Sequence, residues 1–213
     1  MIKAVIFDLD GVLVTTDSLH YKAWKQLGEE IGITDFTKED NVRQRGISRM
    51  ASLEILLEKT DVKYTDAEKE ELAERKNNYY KQSLGGLTKK DVLPGAKEVL
   101  EFLREHGIKT AVGSASKNAP MILEKTGLLP LLDAVACGLD VTRSKPDPEV
   151  FLKAAEKLSV PPKDCMVFED ADAGIEAAKR GGMFAFAVGA ARGNKSADLS
   201  ANSLDTLKSI ILL

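Results

Sequence analysis

Asp8 and Asp10 stand where the apolar run Ala4-Val5-Ile6-Phe7 gives out, and Gly11 follows at once. Residues two apart on a strand point the same way. If strand geometry holds to its end, both carboxylates address one spot. Two acids so close repel each other, which suits a bound cation or a division of chemical roles. On these residues alone an Asp-rich turn is an equal reading, because Asp and Gly favour turns. Three more polar clusters break the tie. Ser114-Ala115-Ser116 follows the strand-like Thr110 to Gly113. Lys145-Pro146-Asp147-Pro148 lies in the loop after a short strand at Ala134 to Ala136. Glu169-Asp170 ends the strand-like Met166 to Phe168. Alone, Glu169-Asp170 reads as a solvated turn and Lys145-Pro146 as a loop. In a parallel sheet all four ends lie on one edge, where open α/β sheets bind ligands. Hydroxyls, a lysine and four carboxylates together fit phosphoryl transfer. Carboxylate oxygens suit Mg²⁺, which keeps several waters. A lysine and a hydroxyl can hold phosphate oxygens. A carboxylate can also be the covalent nucleophile.

The elements that must position these groups are legible in the apolar spacing. Ala4 to Phe7 is continuous, as in a strand buried on both faces. Leu19, Ala23, Trp24, Leu27 and Ile31 then recur at helical spacing, with Gly32 as a stop. Ser48 is placed to cap a second helix carrying Leu53, Leu56 and Leu57. Thr65-Asp66-Ala67-Glu68 reads as a capping box opening a third. Residues 17–84 therefore look helical, until Gly85-Gly86. Strands and helices then alternate to the strand at Phe184 to Val188, which implies right-handed crossovers. The fold class is α/β, a doubly wound parallel-sheet core with an inserted α-helical cap. The expected domains are a core of 1–15 and 87–213 and a cap of 16–86. Two chain crossings make a hinge, and a hinged insert makes a lid.

Composition sets the outer limits. The 213 residues are 44% hydrophobic and 30% charged, ordinary for a globular chain. A net charge of −3 gives no basic field to draw nucleic acid or an anionic membrane. No apolar stretch is long enough to span a bilayer. Ile2 to Phe7 is too short for a signal sequence, so none is expected. Cys137 and Cys165 lack framework spacing, which points to a reducing cytoplasm and inert core thiols.

The four clusters, in this order, resemble the motifs of the haloacid dehalogenase superfamily, with the second aspartate of its phosphotransferase branch. Asp10-Gly11-Val12-Leu13, His20-Tyr21-Lys22-Ala23-Trp24, Arg45-Gly46-Ile47-Ser48-Arg49, Lys76-Asn77, Ser114-Ala115-Ser116-Lys117-Asn118 and Glu169-Asp170 are similar to the β-phosphoglucomutase family within it. The resemblance covers nearly the whole chain, and its cap motifs are more specific than its core ones. It implies transfer of a phosphoryl group between C1 and C6 of glucose through an aspartyl-phosphate and a 1,6-bisphosphate. It implies Asp8 as nucleophile and Asp10 as general acid and base. Mg²⁺ would be held by Asp8, Asp10 through its backbone carbonyl, Glu169 and Asp170. Ser114, Ala115 and Lys145 would hold the transferring phosphate. Arg49, Ser116 and Asn118 would hold the distal one. His20, Lys76, Ser52, Gly46 and Trp24 would line the cleft. On spacing alone Trp24 is a core residue, His20 a packed one, Arg49 a first-turn residue on an exposed helix, and Lys76 part of a solvated face. Arg45 stands where the family pattern has lysine, and Thr15-Thr16 where it has Asp-Thr. The implied partners are small sugar phosphates and a monomeric state. A Mg²⁺-dependent sugar-phosphate phosphatase on the same core is the alternative.

Overall fold

The computed structural model describes residues 1–204. The second core segment, expected to run to residue 213, is thus described as far as 204. Strand β1 (Ala4–Phe7) sits mid-sheet. After it come helices α1 (Asp17–Glu30), α2 (Lys38–Arg43), α3 (Arg49–Leu57) and α4 (Asp66–Leu84). The alternating part follows: α5 (Ala96–Glu105), β2 (Lys109–Gly113), α6 (Ala119–Thr126), β3 (Ala134–Ala136), α7 (Glu149–Leu158), β4 (Cys165–Glu169), α8 (Asp172–Arg180), β5 (Phe184–Val188) and β6 (Leu199–Ala201). All pairings are parallel, in the order β3-β2-β1-β4-β5-β6. The order reverses direction at β1, between β2 and β4, and that is where a doubly wound sheet opens a crevice.

The period of two in β1 divides the core. Val5 and Phe7 face one apolar cluster with Val99, Leu103 and Ile122 of α5 and α6. Ala4 and Ile6 face the other, with Phe151, Ala154 and Ile175 of α7 and α8. Every residue of β1 is therefore buried. The helical block between β1 and α5 has its own cluster of Trp24, Leu27, Phe36, Leu53, Leu56 and Leu72. Tyr80 and Leu84 leave that cluster and pack with the sheet-side core.

Two elements escape sequence reading. Helix α2 has six residues, too few to show a period, and its Thr37 capping box uses Asp40 in place of Glu or Gln. Strand β6 is three residues at the sheet edge, largely exposed, with no apolar run. The strand beginning at Ala4 also stops earlier than uniform alternation requires. Ladder pairing ends at Phe7, and residues 9–14 fold into a turn closed by Gly11 N–H to the Val14 carbonyl at 2.8 Å. Gly11 has φ +83°, and a Cβ there would strike the Asp170 carboxylate. Glycine is required at this position on both counts. Returning from the helices, the chain runs beside its own departure. Val14 bridges Val92 antiparallel, Thr15 N–H reaches the Asp91 carbonyl at 3.1 Å, and Leu93 N–H reaches the Leu13 carbonyl at 2.9 Å.

Candidate active site

The C-terminal ends of β1, β2 and β4 deliver Asp8, Ser114 and Glu169 to one edge of the sheet. All three are buried, as are Lys145 and Asp170. Lys145 Nζ donates to Asp8 Oδ1 at 2.5 Å and to Glu169 Oε1 at 2.7 Å. Burial alone would lower this ammonium, but Asp8 and Glu169 outweigh it and hold the group above the ordinary lysine value. Lys145 lies in a loop, as the sequence suggests, but its ammonium is a bridging cation buried inside the sheet edge. Glu169 Oε2 accepts from Ala171 N–H at 2.7 Å. Gly174 on α8 leaves room for that carboxylate, which a Cβ would displace. The solvated-turn reading of Glu169-Asp170 fails. Burial raises Glu169, opposed first by Lys145. Burial, with Glu169 and Asp8 nearby, pushes Asp170 up to about 8.

Oxygens of Asp8, Glu169 and Asp170 lie within 4.8 Å of one another, an arrangement that could hold a metal ion. The donor set is all carboxylate, which suits a hard divalent cation. Three buried acids with one lysine between them are undercompensated, and the raised Glu169 and Asp170 register that deficit. The Asp10 carboxylate is outside this group. Asp8 and Asp10 border one cavity, as expected, but their carboxylates take different partners. Asp8 turns to Lys145. Asp10 accepts a hydrogen bond from Thr16 Oγ1, which in turn accepts from Tyr80 OH at 3.1 Å. Burial, partly offset by the Thr16 bond and reinforced by Asp8, raises Asp10 to about 7.

After β2, Ser116 N–H donates to Ser114 Oγ at 3.1 Å, and Asn118 N–H to Ser116 Oγ at 3.2 Å. A serine hydroxyl that accepts in this way still has its own hydrogen to donate. The turn therefore presents Ser114, Ala115 and Ser116 to the same cavity as Asp8.

The helical block closes over this edge. A cavity of about 940 Å³ is lined by Asp8, Asp10, Ser114, Lys145 and Asp170 from below. From above come His20, Trp24, Gly46, Arg49, Ser52 and Lys76. That volume is in the range of small-molecule sites. Every residue expected at the site borders it except Glu169, which lies beneath in contact with Lys145. Lys76 is buried, so the solvated-face reading of Glu74-Arg75-Lys76 is wrong at its third residue. Helix α4 turns that position inward, where Nζ lies 4.5 Å from the Trp24 ring centroid and 2.8 Å from His20 Nδ1. Burial, then repulsion from Arg49, depresses Lys76 to about 7. His20 is held well below its ordinary value by burial, then by Lys76 and Arg49. It stacks on Tyr80 with centroids 3.9 Å apart. Trp24 is both a core residue and a cavity wall. Arg49 opens α3, but its side chain is only 22% exposed and pairs with Glu74 at 2.9 Å. Asn118 Nδ2 donates to Asn77 Oδ1 at 3.0 Å, joining the turn after β2 to α4.

Sequence reasoning missed Thr16, Tyr80 and Asp17. In the sequence Thr16 stands out only as part of the Thr15-Thr16 pair. Tyr80 carries no sequence signal beyond its place near the end of the third expected helix. Arg45 places both fork nitrogens on Asp17, each at 3.2 Å, which a lysine would meet at a single point.

A sequence profile described as haloacid dehalogenase-like hydrolase matches residues 2–182. The chain is 45% identical over 199 residues to a β-phosphoglucomutase of Bacillus subtilis (strain 168), covering 92% of this chain and 88% of that one. It is 33% identical to a phosphorylated carbohydrates phosphatase of Thermotoga maritima, covering 85% and 82%. Its structure superposes on the crystal structure of a β-phosphoglucomutase from Clostridium difficile with TM-score 0.93 and 39% identity, covering 100% and 96%.

Proposed function

The chain belongs to the haloacid dehalogenase-like hydrolase family, and from that premise we propose that it is a β-phosphoglucomutase, an isomerase interconverting β-glucose 1-phosphate and glucose 6-phosphate. Residues 1–15 and 87–213 serve as the reacting core and residues 16–86 as its cap. One observation carries the choice within the family. Asp8 and Arg49 border a single cavity, so a sugar with two phosphates can offer one to each. A mutase needs that distal site, and a phosphatase does not.

The residues fit the reaction as follows. Asp8 begins phosphorylated. Asp10 takes the proton from the sugar 6-hydroxyl as its oxygen attacks phosphorus, and the bond to Asp8 breaks. The 1,6-bisphosphate then turns around. An Asp8 oxygen attacks the phosphorus at C1, the P–O bond to the sugar breaks, and Asp10 returns its proton to the leaving O1. A group near pH 7 can do both jobs. Ser114, the Ala115 N–H and Lys145 hold the transferring phosphate. Arg49, Ser116 and Asn118 hold the distal one. His20, Lys76, Ser52, Gly46 and Trp24 shape the cleft between. Mg²⁺ on Asp8, Glu169, Asp170 and the Asp10 carbonyl would neutralise charge developing on the phosphoryl oxygens. The remaining expectations are sugar phosphates as the partners, a monomer, and a cytoplasmic setting. Among the described residues no helix is long and apolar enough to cross a membrane.

The phosphatase alternative has its own support in the 33% identical carbohydrate phosphatase. Incubating the protein with β-glucose 1-phosphate, Mg²⁺ and a trace of the bisphosphate decides between them. Glucose 6-phosphate forming faster than inorganic phosphate supports the mutase. Inorganic phosphate forming faster overturns it.

A further inference from the structure

Arg49 is not waiting free for an anion. Its Nη1 donates to Glu74 Oε2 at 2.9 Å, and Glu74 Oε1 accepts from Asn77 Nδ2 at 3.1 Å. Asn77 in turn accepts from Asn118 of the sheet side at 3.0 Å. The chain Asn118–Asn77–Glu74–Arg49 thus crosses the cleft, and its two asparagines are buried. Glu74 and Arg49 both border the cavity. We propose that Glu74 is a positioning residue that stands in for the distal phosphate, holding Arg49 until a phosphate takes its place. This rests on the mutase reading of the cleft.

The chemistry explains why the stand-in yields. A carboxylate offers one negative charge. A phosphate monoester carries about −1.5 to −2 at neutral pH and three strong acceptor oxygens. The Glu74 side chain is 55% exposed, so the ion pair is a weak hold. Arg49 also lies near Lys76, whose ammonium it depresses. Without Glu74 the cavity's upper wall would hold these cations with less compensation. Parking Arg49 compensates part of its charge and keeps the guanidinium beside the cavity. The cost is a competition that every incoming phosphate must win, which multiplies the apparent Kd by the reciprocal of the fraction of Arg49 left free.

The test is calorimetric titration of glucose 6-phosphate, with Mg²⁺ present, into wild type, Glu74→Gln, Arg49→Ala and the double variant. Glu74→Ala serves as a second removal should the glutamine retain a hydrogen bond to Arg49. Removing the charge should tighten Kd by about two- to five-fold, the range set by exposed ion pairs. The gain should vanish in the Arg49→Ala background. KM for β-glucose 1-phosphate should fall in step, with no rise in kcat. Equal or weaker binding in both Glu74 variants overturns the proposal, as does an equal gain without Arg49. Binding is read without turnover. A wild type that only hydrolyses its substrate would therefore reject the mutase reading, while the Kd comparison still decides the role of Glu74.

Discussion

Asp10 lies where a proton can be given and taken at one pH, and burial and two neighbours put it there. Burial raises it, Thr16 holds it back, and Asp8 raises it further. Asp10→Ala should slow transfer involving a sugar hydroxyl by about 10²–10⁴-fold. Phosphorylation of Asp8 by acetyl phosphate should fall much less, since that leaving group needs no proton. Equal losses with both donors, measured by rapid quench, would assign Asp10 a structural task. Arg49 answers to a different readout. Arg49→Ala should reduce conversion of β-glucose 1-phosphate far more than hydrolysis of acetyl phosphate, which has no distal phosphate. A loss shared equally between the two assays would mean that the arginine supports the fold. At this scale the sequence was legible wherever a side chain sat at a strand end. It was illegible where a partner came from another element. Nothing local marks Thr16 and Tyr80 as one hydrogen-bonded pair, because they lie 64 residues apart.

The turn after β1 shows how an element can be foreseen in kind but not in aim. Apolar residues 4–7 announced a buried strand, and Asp8-x-Asp10-Gly11 its end. Strand alternation suggested two acids facing one spot; both do border one cavity, where the turn from Leu9 to Val14 lets Asp10 meet Thr16 while Asp8, ahead of the turn, meets Lys145. Gly11 makes that possible. Gly11→Ala should cost about 1–3 kcal/mol for the left-handed backbone alone. It should also push Asp170 out of the carboxylate cluster. The expected result is a lower Tm together with a higher Mg²⁺ requirement. A lower Tm with unchanged Mg²⁺ dependence would separate the turn from the metal site. Helices α1, α3 and α4 were readable because each is long enough to show its period or carries a capping hydroxyl. The lid was expected from the two chain crossings, but no local pattern shows which face of α4 turns Lys76 inward.

For the whole molecule, the buried acids make stability depend on pH and metal together. Asp170 and Asp10 are raised to about 8 and about 7. A carboxyl raised on folding favours the fold below its unfolded value, and that advantage is lost as pH rises through the folded value. Metal-free protein should therefore lose stability from these groups between about pH 4 and about pH 8. Metal binding needs the Glu169 and Asp170 carboxylates deprotonated, so stabilisation by Mg²⁺ should grow as pH rises toward about 8. Melting curves with chelator and with Mg²⁺, at about pH 5.5 and about pH 8, check this. Lys76 works in the opposite direction, since its burial penalty builds as pH falls from 10.5 toward about 7. It is not a metal ligand, so its contribution cancels in the difference between the two curves. A Mg²⁺ increment in Tm that is flat across pH would contradict the metal assignment.

The ribbon of Val14 against Val92 has a consequence for ancestry. The chain leaves the sheet and returns to it at neighbouring points, so whatever lies between them is a splice with both ends on one ladder. Its length and topology are free to change without moving a single sheet strand. With the proposed residue roles, reactivity would reside on one side of the splice and much of the substrate wall on the other, so selection could exchange one while inheriting the other. Transplanting the matching segment from a relative with another substrate should leave acetyl phosphate hydrolysis in place and carry the donor's sugar preference with it. A family built this way would diversify its substrates by trading lids over a single inherited reaction.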